Sequence, residues 1–159
     1  MRTGVDVDMR AARAEVDGLV DRAVRLRPLF DTVVDDFHRW MGEAFATGGK
    51  AIGRDWRPDS PGWAAVKARR GAPSGPGVFT GMLAASLTSR TARHAKVTIT
   101  GDTVRVSTSA PQAPLFDAGR RSGQPARPLL PSDRRLEQRW APLLAAHLAG
   151  TGRPFDGTL

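Results

Sequence analysis

Three histidines, a pair of adjacent aspartates and several paired arginines are the side chains on which any chemistry in this chain would have to rest. His38, His94 and His147 fall on different elements and form neither an HxxxH nor an HExxH spacing. They therefore do not offer a metal two imidazoles on one helix face. Each is expected as a neutral histidine at the surface or at an element edge. Asp35 and Asp36 are neighbours in a helical stretch and point in different directions, which is the wrong geometry for a paired acid and base. The chain has no cysteine, which removes disulfides, thiolate zinc sites and a cysteine nucleophile. No GxSxG, GxxxxGKS or GxxxxGKT run occurs, and the glycine-rich stretch 71 to 77 has no Lys-Ser or Lys-Thr behind it. The constellations of catalysis are missing, so the chain is expected to be no enzyme and to need no cofactor and no metal.

What remains is arginine. The 159 residues carry 24 Lys and Arg against 16 Asp and Glu, a net charge of +8. The excess is uneven: residues 1 to 50 hold eight basic and nine acidic side chains (8 − 9 = −1), and residues 51 to 159 hold sixteen and seven (16 − 7 = +9). Only Lys50, Lys67 and Lys96 are lysines. Arginine forks onto carboxylates or phosphates and stacks on flat surfaces, so acidic neighbouring subunits or nearby DNA are the partners that fit. Arg69-Arg70, Arg120-Arg121 and Arg134-Arg135 are spread over several elements without a recognition helix or stacking motif. Binding of nucleic acid would then be phosphate-driven and non-specific, which is the alternative reading of the chain.

The elements that position these side chains follow from periodicity. Residues 2 to 7 read as a short strand, after which Met9, Ala12, Val16, Leu19, Ala23 and Leu26 recur at helical spacing behind a capping Asp8. Pro28 opens a second helix over about 28 to 47, with Phe30, Val33, Val34, Phe37, Met41, Ala44 and Phe45 on one stripe beside Trp40. Asp31, Asp35, Asp36, Arg39 and Glu43 are expected mostly on the opposite face. Thr47-Gly48-Gly49 ends it. Residues 48 to 78 are irregular, yet they hold Trp56 and, in a short helix starting at Ser60-Pro61, Trp63 and Val66. Aromatic anchors in so polar a stretch either fold back over the core or make an assembly contact.

From Thr80 a short helix carries Met82, Leu83 and Leu87, and the runs 95 to 100 and 103 to 108 pair as a hairpin around Gly101-Asp102. An apolar turn, Leu115 with Phe116, reaches Gly119, and Arg120 to Gln124 form an exposed basic loop. A last helix starts at Ser132 and runs to about Leu148 with Leu136, Trp140, Leu143, Leu144 and His147 on its stripe, kinked at Pro142. The fold class is α+β: two N-terminal helices and a C-terminal helix packed on a small antiparallel sheet, with long Gly-, Pro- and Arg-rich loops. One domain over 1 to 149 and a loose tail over 150 to 159 are expected. The first eight residues carry acids where a signal peptide needs an apolar run, and no segment approaches the roughly 20 apolar residues of a membrane span. A soluble protein made in the cytoplasm, with no membrane partner, is the expectation.

Three segments, taken in order, carry a likeness. Val78-Phe79-Thr80-Gly81-Met82-Leu83-Ala84-Ala85-Ser86-Leu87 is followed by Phe116-Asp117-Ala118-Gly119 and then by Pro125-Ala126-Arg127-Pro128-Leu129-Leu130. With Leu26-Arg27-Pro28-Leu29 and the Trp56-Arg57-Pro58 to Lys67 segment, the chain resembles the phage virion morphogenesis, or tail-completion, family of tailed bacteriophages. It departs from that pattern in Ala113-Pro114-Leu115-Phe116, where the aromatic is displaced, and in the glycine- and proline-rich stretch before Val78. The resemblance implies a structural virion protein of the tail or neck, assembled in the host cytoplasm, that completes the tail or joins head to tail. It implies a ring of copies, often six, with tail-tube and head-connector proteins as partners and DNA passing through the channel; a minor capsid or connector protein is the neighbouring alternative. Contacts with other subunits are expected from Trp56, Trp63, Arg69, Arg70, Phe79, Phe116, Arg120, Arg121 and Arg127.

Overall fold

The computed structural model describes residues 10 to 119 and 123 to 151. The strand expected over 2 to 7, the capping Asp8, Arg120, Arg121 and nearly all of the expected tail lie outside the described residues. Six helices and one hairpin follow in the order α1 Arg10–Val24, α2 Arg27–Ala46, a single 3₁₀ turn Lys50–Ile52, α3 Pro61–Arg69, α4 Met82–Thr88, β1 Ala95–Thr100, β2 Thr103–Thr108, α5 Ala113–Ala118 and α6 Asp133–Ala149. This is the α+β architecture read from the sequence, with helices on a small antiparallel sheet.

The centre is α2. Pro28 in its first turn wastes no amide, and its apolar spacing buries Leu29, Val33, Val34, Phe37, Trp40, Met41 and Ala44. Gly48 and Gly49 end it with φ of +64° and +90°. At Gly49 a Cβ would stand 2.9 Å from the Trp56 ring, so the left-handed turn and the close approach both require glycine. Beyond this turn the chain doubles back, and Trp56, Ile52, Leu83, Leu87, Phe116 and Leu129 close over α2 to complete one core.

The hairpin has the expected register, with Val97 opposite Val106, Ile99 opposite Val104 and Thr100 opposite Thr103. Its inner face, Val97, Ile99, Val104 and Val106, is only half-buried, and α2 and α4 supply its main helical packing. Ser86 of α4 donates to the Leu83 carbonyl and lies 2.7 Å from the hydroxyl of Thr108, which ties α4 to β2. No helix among the described residues is long and apolar enough to cross a membrane.

Two polar residues depart from expectation. Asp36 is not on an outer face; it is 1% exposed, pointed at α6. Arg139 grips it with a two-pronged bond (Nε to Oδ2 2.6 Å, Nη2 to Oδ1 2.8 Å), Trp140 Nε1 donates at 3.0 Å and Arg39 at 2.9 Å. Helical spacing places Asp36 beside the stripe rather than opposite it, and four donors make burial of its charge tolerable. His38 likewise is buried rather than at an edge; it donates Nδ1–H to the Leu87 carbonyl at 2.9 Å. The helix α6 runs through Pro142 as one element.

A second layer stands outside the core. His147 donates to the Arg22 carbonyl at 3.0 Å and Arg22 to the Leu148 carbonyl at 2.7 Å, so α1 rests on α6. The helical periodicity of α1 is as expected, but its stripe is not covered: Val16, Leu19, Val20 and Val24 are 47 to 77% exposed.

Burial raises the Asp36 carboxyl, but the bonds from Arg139, Arg39 and Trp140 and the charge of Arg139 outweigh it and hold the group below its ordinary value of 3.8. A depressed folded-state value means that the stabilisation is fully present above the ordinary value and is lost as pH falls through the folded one. Asp36→Asn is expected to cost about 2 kcal/mol at pH 7, because it removes the charge and one of the two acceptor oxygens on which Arg139, Arg39 and Trp140 converge. The penalty should shrink on acidification below about pH 4, and urea denaturation at pH 7 and pH 3 would measure both.

Candidate interaction cleft

The core closes over α2 in a way that leaves one large opening. Between the 57 to 67 segment, the 77 to 83 turn, α5 and the 123 to 127 strand of chain lies a cleft of about 830 Å3. Its position follows from local chemistry. Ser60 caps α3, accepting the Trp63 amide, and Pro61 sits in the first turn. One turn of that helix carries Trp63 to the cleft and the next carries Lys67 inward. Across the opening, Gly81 at φ +70° starts α4 and sets Phe79 opposite Trp63.

Two aromatic pairs grade from the opening to the core. Trp63 and Phe79 meet at 5.0 Å between ring centres, with the Arg70 guanidinium 5.7 Å from the Phe79 ring. Beneath them Trp56 and Phe116 meet edge to face at 5.2 Å, backed by Phe45. Trp63 keeps 40% of its surface exposed, while Trp56 and Phe116 keep 3 and 4%.

The floor is a charged knot. Arg127, 5% exposed, donates Nε–H to the Arg57 carbonyl at 2.7 Å and Nη2 to the Pro58 carbonyl at 3.1 Å, and its guanidinium lies 5.5 Å from the Phe116 ring. Asp59 takes Lys67 Nζ at 2.7 Å on one oxygen and faces Arg127 Nη2 at 3.4 Å on the other. Lys67 is 3% exposed and also donates to the Gly75 carbonyl. One carboxylate thus serves two buried cations, and the three side chains together carry a formal charge of 2 − 1 = +1. Gln112, which also lines the cleft, has a buried Oε1 with no hydrogen-bond partner among the described residues.

The knot belongs to a seam that sews three segments together. Arg127 N donates to the Phe116 carbonyl at 2.8 Å and Leu129 N to Asp117 Oδ1 at 2.8 Å. Trp56 Nε1 donates to the Pro128 carbonyl at 2.9 Å and Arg54 Nε to the Leu130 carbonyl at 3.1 Å. Gly119 makes the seam possible. It has φ +74° and ψ −175°, and a Cβ there would lie 2.6 Å from the Gln124 carbonyl oxygen.

The residues expected at subunit contacts therefore separate. Trp63, Phe79 and Arg70 gather at the mouth of the cleft. Trp56, Phe116 and Arg127 are buried: the two rings complete the core, and all the Arg127 bonds above turn inward. Arg69 is exposed on α3 away from the cleft. Asp59, Lys67, Gln112 and Asp117 were not singled out by the sequence. Asp59 stood unnoticed beside Trp56-Arg57-Pro58, and Lys67 four residues after Trp63 was a signal, since that spacing puts both on one face of α3. None of the three histidines lines the cleft, and no group of three His, Cys, Asp or Glu suited to a metal occurs among the described residues. The arrangement suits binding: an aromatic mouth accepts apolar side chains, and the cationic floor favours a carboxylate.

Arg127→Lys is expected to destabilise the fold by about 2 kcal/mol, because a single ammonium cannot make the forked set of bonds to Arg57, Pro58 and Asp59. Gly119→Ala is expected to cost at least as much through strain and the clash with Gln124. Thermal unfolding of both variants checks this. In comparisons with known proteins, no protein-family model, no curated protein and no solved structure matches the chain.

Proposed function

We propose that this chain is a non-enzymatic structural subunit of a tailed-bacteriophage virion, acting in tail completion or head-tail joining as a ring of copies at the tail end. The cleft at Trp63 and Phe79 is its contact with a neighbouring virion protein. One observation carries this reading: each segment behind the family resemblance contributes to the lining of the cleft, Phe79, Thr80 and Leu83 from the first, Phe116 from the second and Pro125 and Arg127 from the third. Shared fold segments that together shape an aromatic recess fit a docking role, since half-exposed aromatic side chains are favoured anchors of interfaces. The uncovered stripe of α1 adds a second surface suited to association.

Mechanism in such a subunit is geometry. A side chain from the neighbour packs against the Trp63 and Phe79 pair, and an adjacent carboxylate is drawn by the net positive charge of the Lys67, Asp59 and Arg127 knot. Arg70 stands at the rim, where it adds electrostatic guidance.

Deleting the gene from a phage that carries it should leave full heads lying apart from finished tails in electron micrographs. Wild-type protein supplied in trans should restore joined particles. Trp63→Ala combined with Phe79→Ala should keep the fold, at a cost near 1 kcal/mol for the half-exposed pair, yet lower the yield of infectious particles at least tenfold. Joined particles in the deletion, or full complementation by the double variant, would refute the reading.

A further inference from the structure

A helix as short as the 15 residues of α1 is marginal in water by itself and draws most of its stability from burying an apolar face. α1 buries the other face. Arg22 donates to the Leu148 carbonyl of α6 and accepts from His147 at its own carbonyl, with Gly18 half-buried one turn before it. Val16, Leu19, Val20 and Val24 meanwhile stay 47 to 77% exposed. At 3.6 residues per turn, Val20 stands about 160° around the helix from both Gly18 and Arg22. The stripe thus points away from α6, and only something from outside can cover it.

The charges beside the stripe select that occupant. Arg10, Arg13, Asp17 and Asp21, spaced by three, four and four residues, form one row along a single flank. The row is basic at its first end and acidic at its last. Asp21 is bonded to Arg25 at 3.0 Å, whereas Arg13 and Asp17 have no ion-pair partner among the described residues. Two helices packed antiparallel through one face bring the same flank of each together, running in opposite directions. A second α1 laid this way sets the basic end of each row against the acidic end of the other. Laid parallel, it would set the row against the opposite flank, where no matching row stands.

We propose that α1 of a second copy packs antiparallel on α1 through Val16, Leu19, Val20 and Val24, about a two-fold axis. With the two helices centred on each other at Asp17, Arg13 of each copy faces Asp21 of the other. Each Asp17 then lies one turn from both Arg13 side chains, which offset the repulsion between the two carboxylates. The same centring places the two Val16 side chains about 3 Å apart along the axis and the two Val24 about 21 Å apart. Apolar burial supplies the attraction, and the charge row fixes direction and register.

Single-cysteine variants read this geometry directly, because the chain has no cysteine of its own. Val16→Cys is expected to give a disulfide-linked dimer under mild oxidation, and Val24→Cys at least fivefold less, since its partner is out of reach. Arg13→Glu and Asp21→Arg should each keep the wild-type circular dichroism and dimerise at least fivefold more weakly than wild type in sedimentation. Mixed in equal amounts, they should form heterodimers by native mass spectrometry, because both cation–carboxylate pairs return across the contact. A wild type that stays monomeric would leave the stripe to another protein and overturn the proposal. Equal linking at the two cysteine positions, or folded charge variants that fail to combine, would overturn it as well. A two-fold contact closes at two copies rather than building a ring, and every readout uses purified chain alone. The inference therefore does not rest on the virion reading, and joined virions in the gene deletion would defeat that reading while leaving the helix pairing in place.

Discussion

Burial of the Arg127 guanidinium is the constraint around which the cleft is organised. A cation in the interior is tolerable only when nearly every donor finds an acceptor. Arg127 finds them in the carbonyls of Arg57 and Pro58 and in Asp59, a single stretch of chain that is thereby fixed against the 123 to 130 segment. The Trp56 indole then reaches the Pro128 carbonyl, and Phe116 slots between Trp56 and the guanidinium. Satisfying one charge sets the floor of the recess, and the floor sets where Trp63 and Phe79 face each other.

The other buried charge, Asp36, does comparable work on the opposite side of α2. It draws Arg139 and Trp140 of α6 onto the helix, and α6 in turn carries α1 through His147 and Arg22. The core is small, so polar fastenings at its borders settle which segments pack where. The protein has a firm centre, α2 with α4 and the folded-back 48 to 59 stretch, flanked by the aromatic recess and the exposed apolar side of α1.

Much of this was legible in the chain. The stripe on α2, the Gly48-Gly49 stop, the Ser60-Pro61 start of α3 and the hairpin over 95 to 108 are set by local rules, periodicity and turn chemistry, and they stand where those rules put them. Trp56 and Trp63 could be recognised as anchors, but not distinguished. Their neighbours in sequence are equally polar, and only the turn at Gly49, which brings the chain back onto α2, sends one ring inward and leaves the other at the surface. The burial of Asp36 and His38 is not legible for a related reason. A helix face counts as outer or inner only relative to what packs on it, and the partners, Arg139 of α6 for Asp36 and Leu87 of α4 for His38, lie 103 and 49 residues away.

Sequence by itself determined the helices α1 to α4 and α6 and the hairpin in their order, the absence of cysteine chemistry and the arginine-weighted charge, because each depends on residues close in the chain or on composition alone; the stretch expected as an apolar turn at Leu115 and Phe116 is instead the short helix α5. Tertiary structure decided which charges are buried and which aromatics form the recess. Asp59, Lys67 and Arg127 become one knot only when segments some sixty residues apart meet, and no local pattern records that a carboxylate will find its second cation there. It also decided that the Thr80-Gly81 turn and the Pro125 to Leu130 anchor face each other across one opening, since their meeting depends on the long-range hydrogen bonds of Arg127, Trp56 and Asp117.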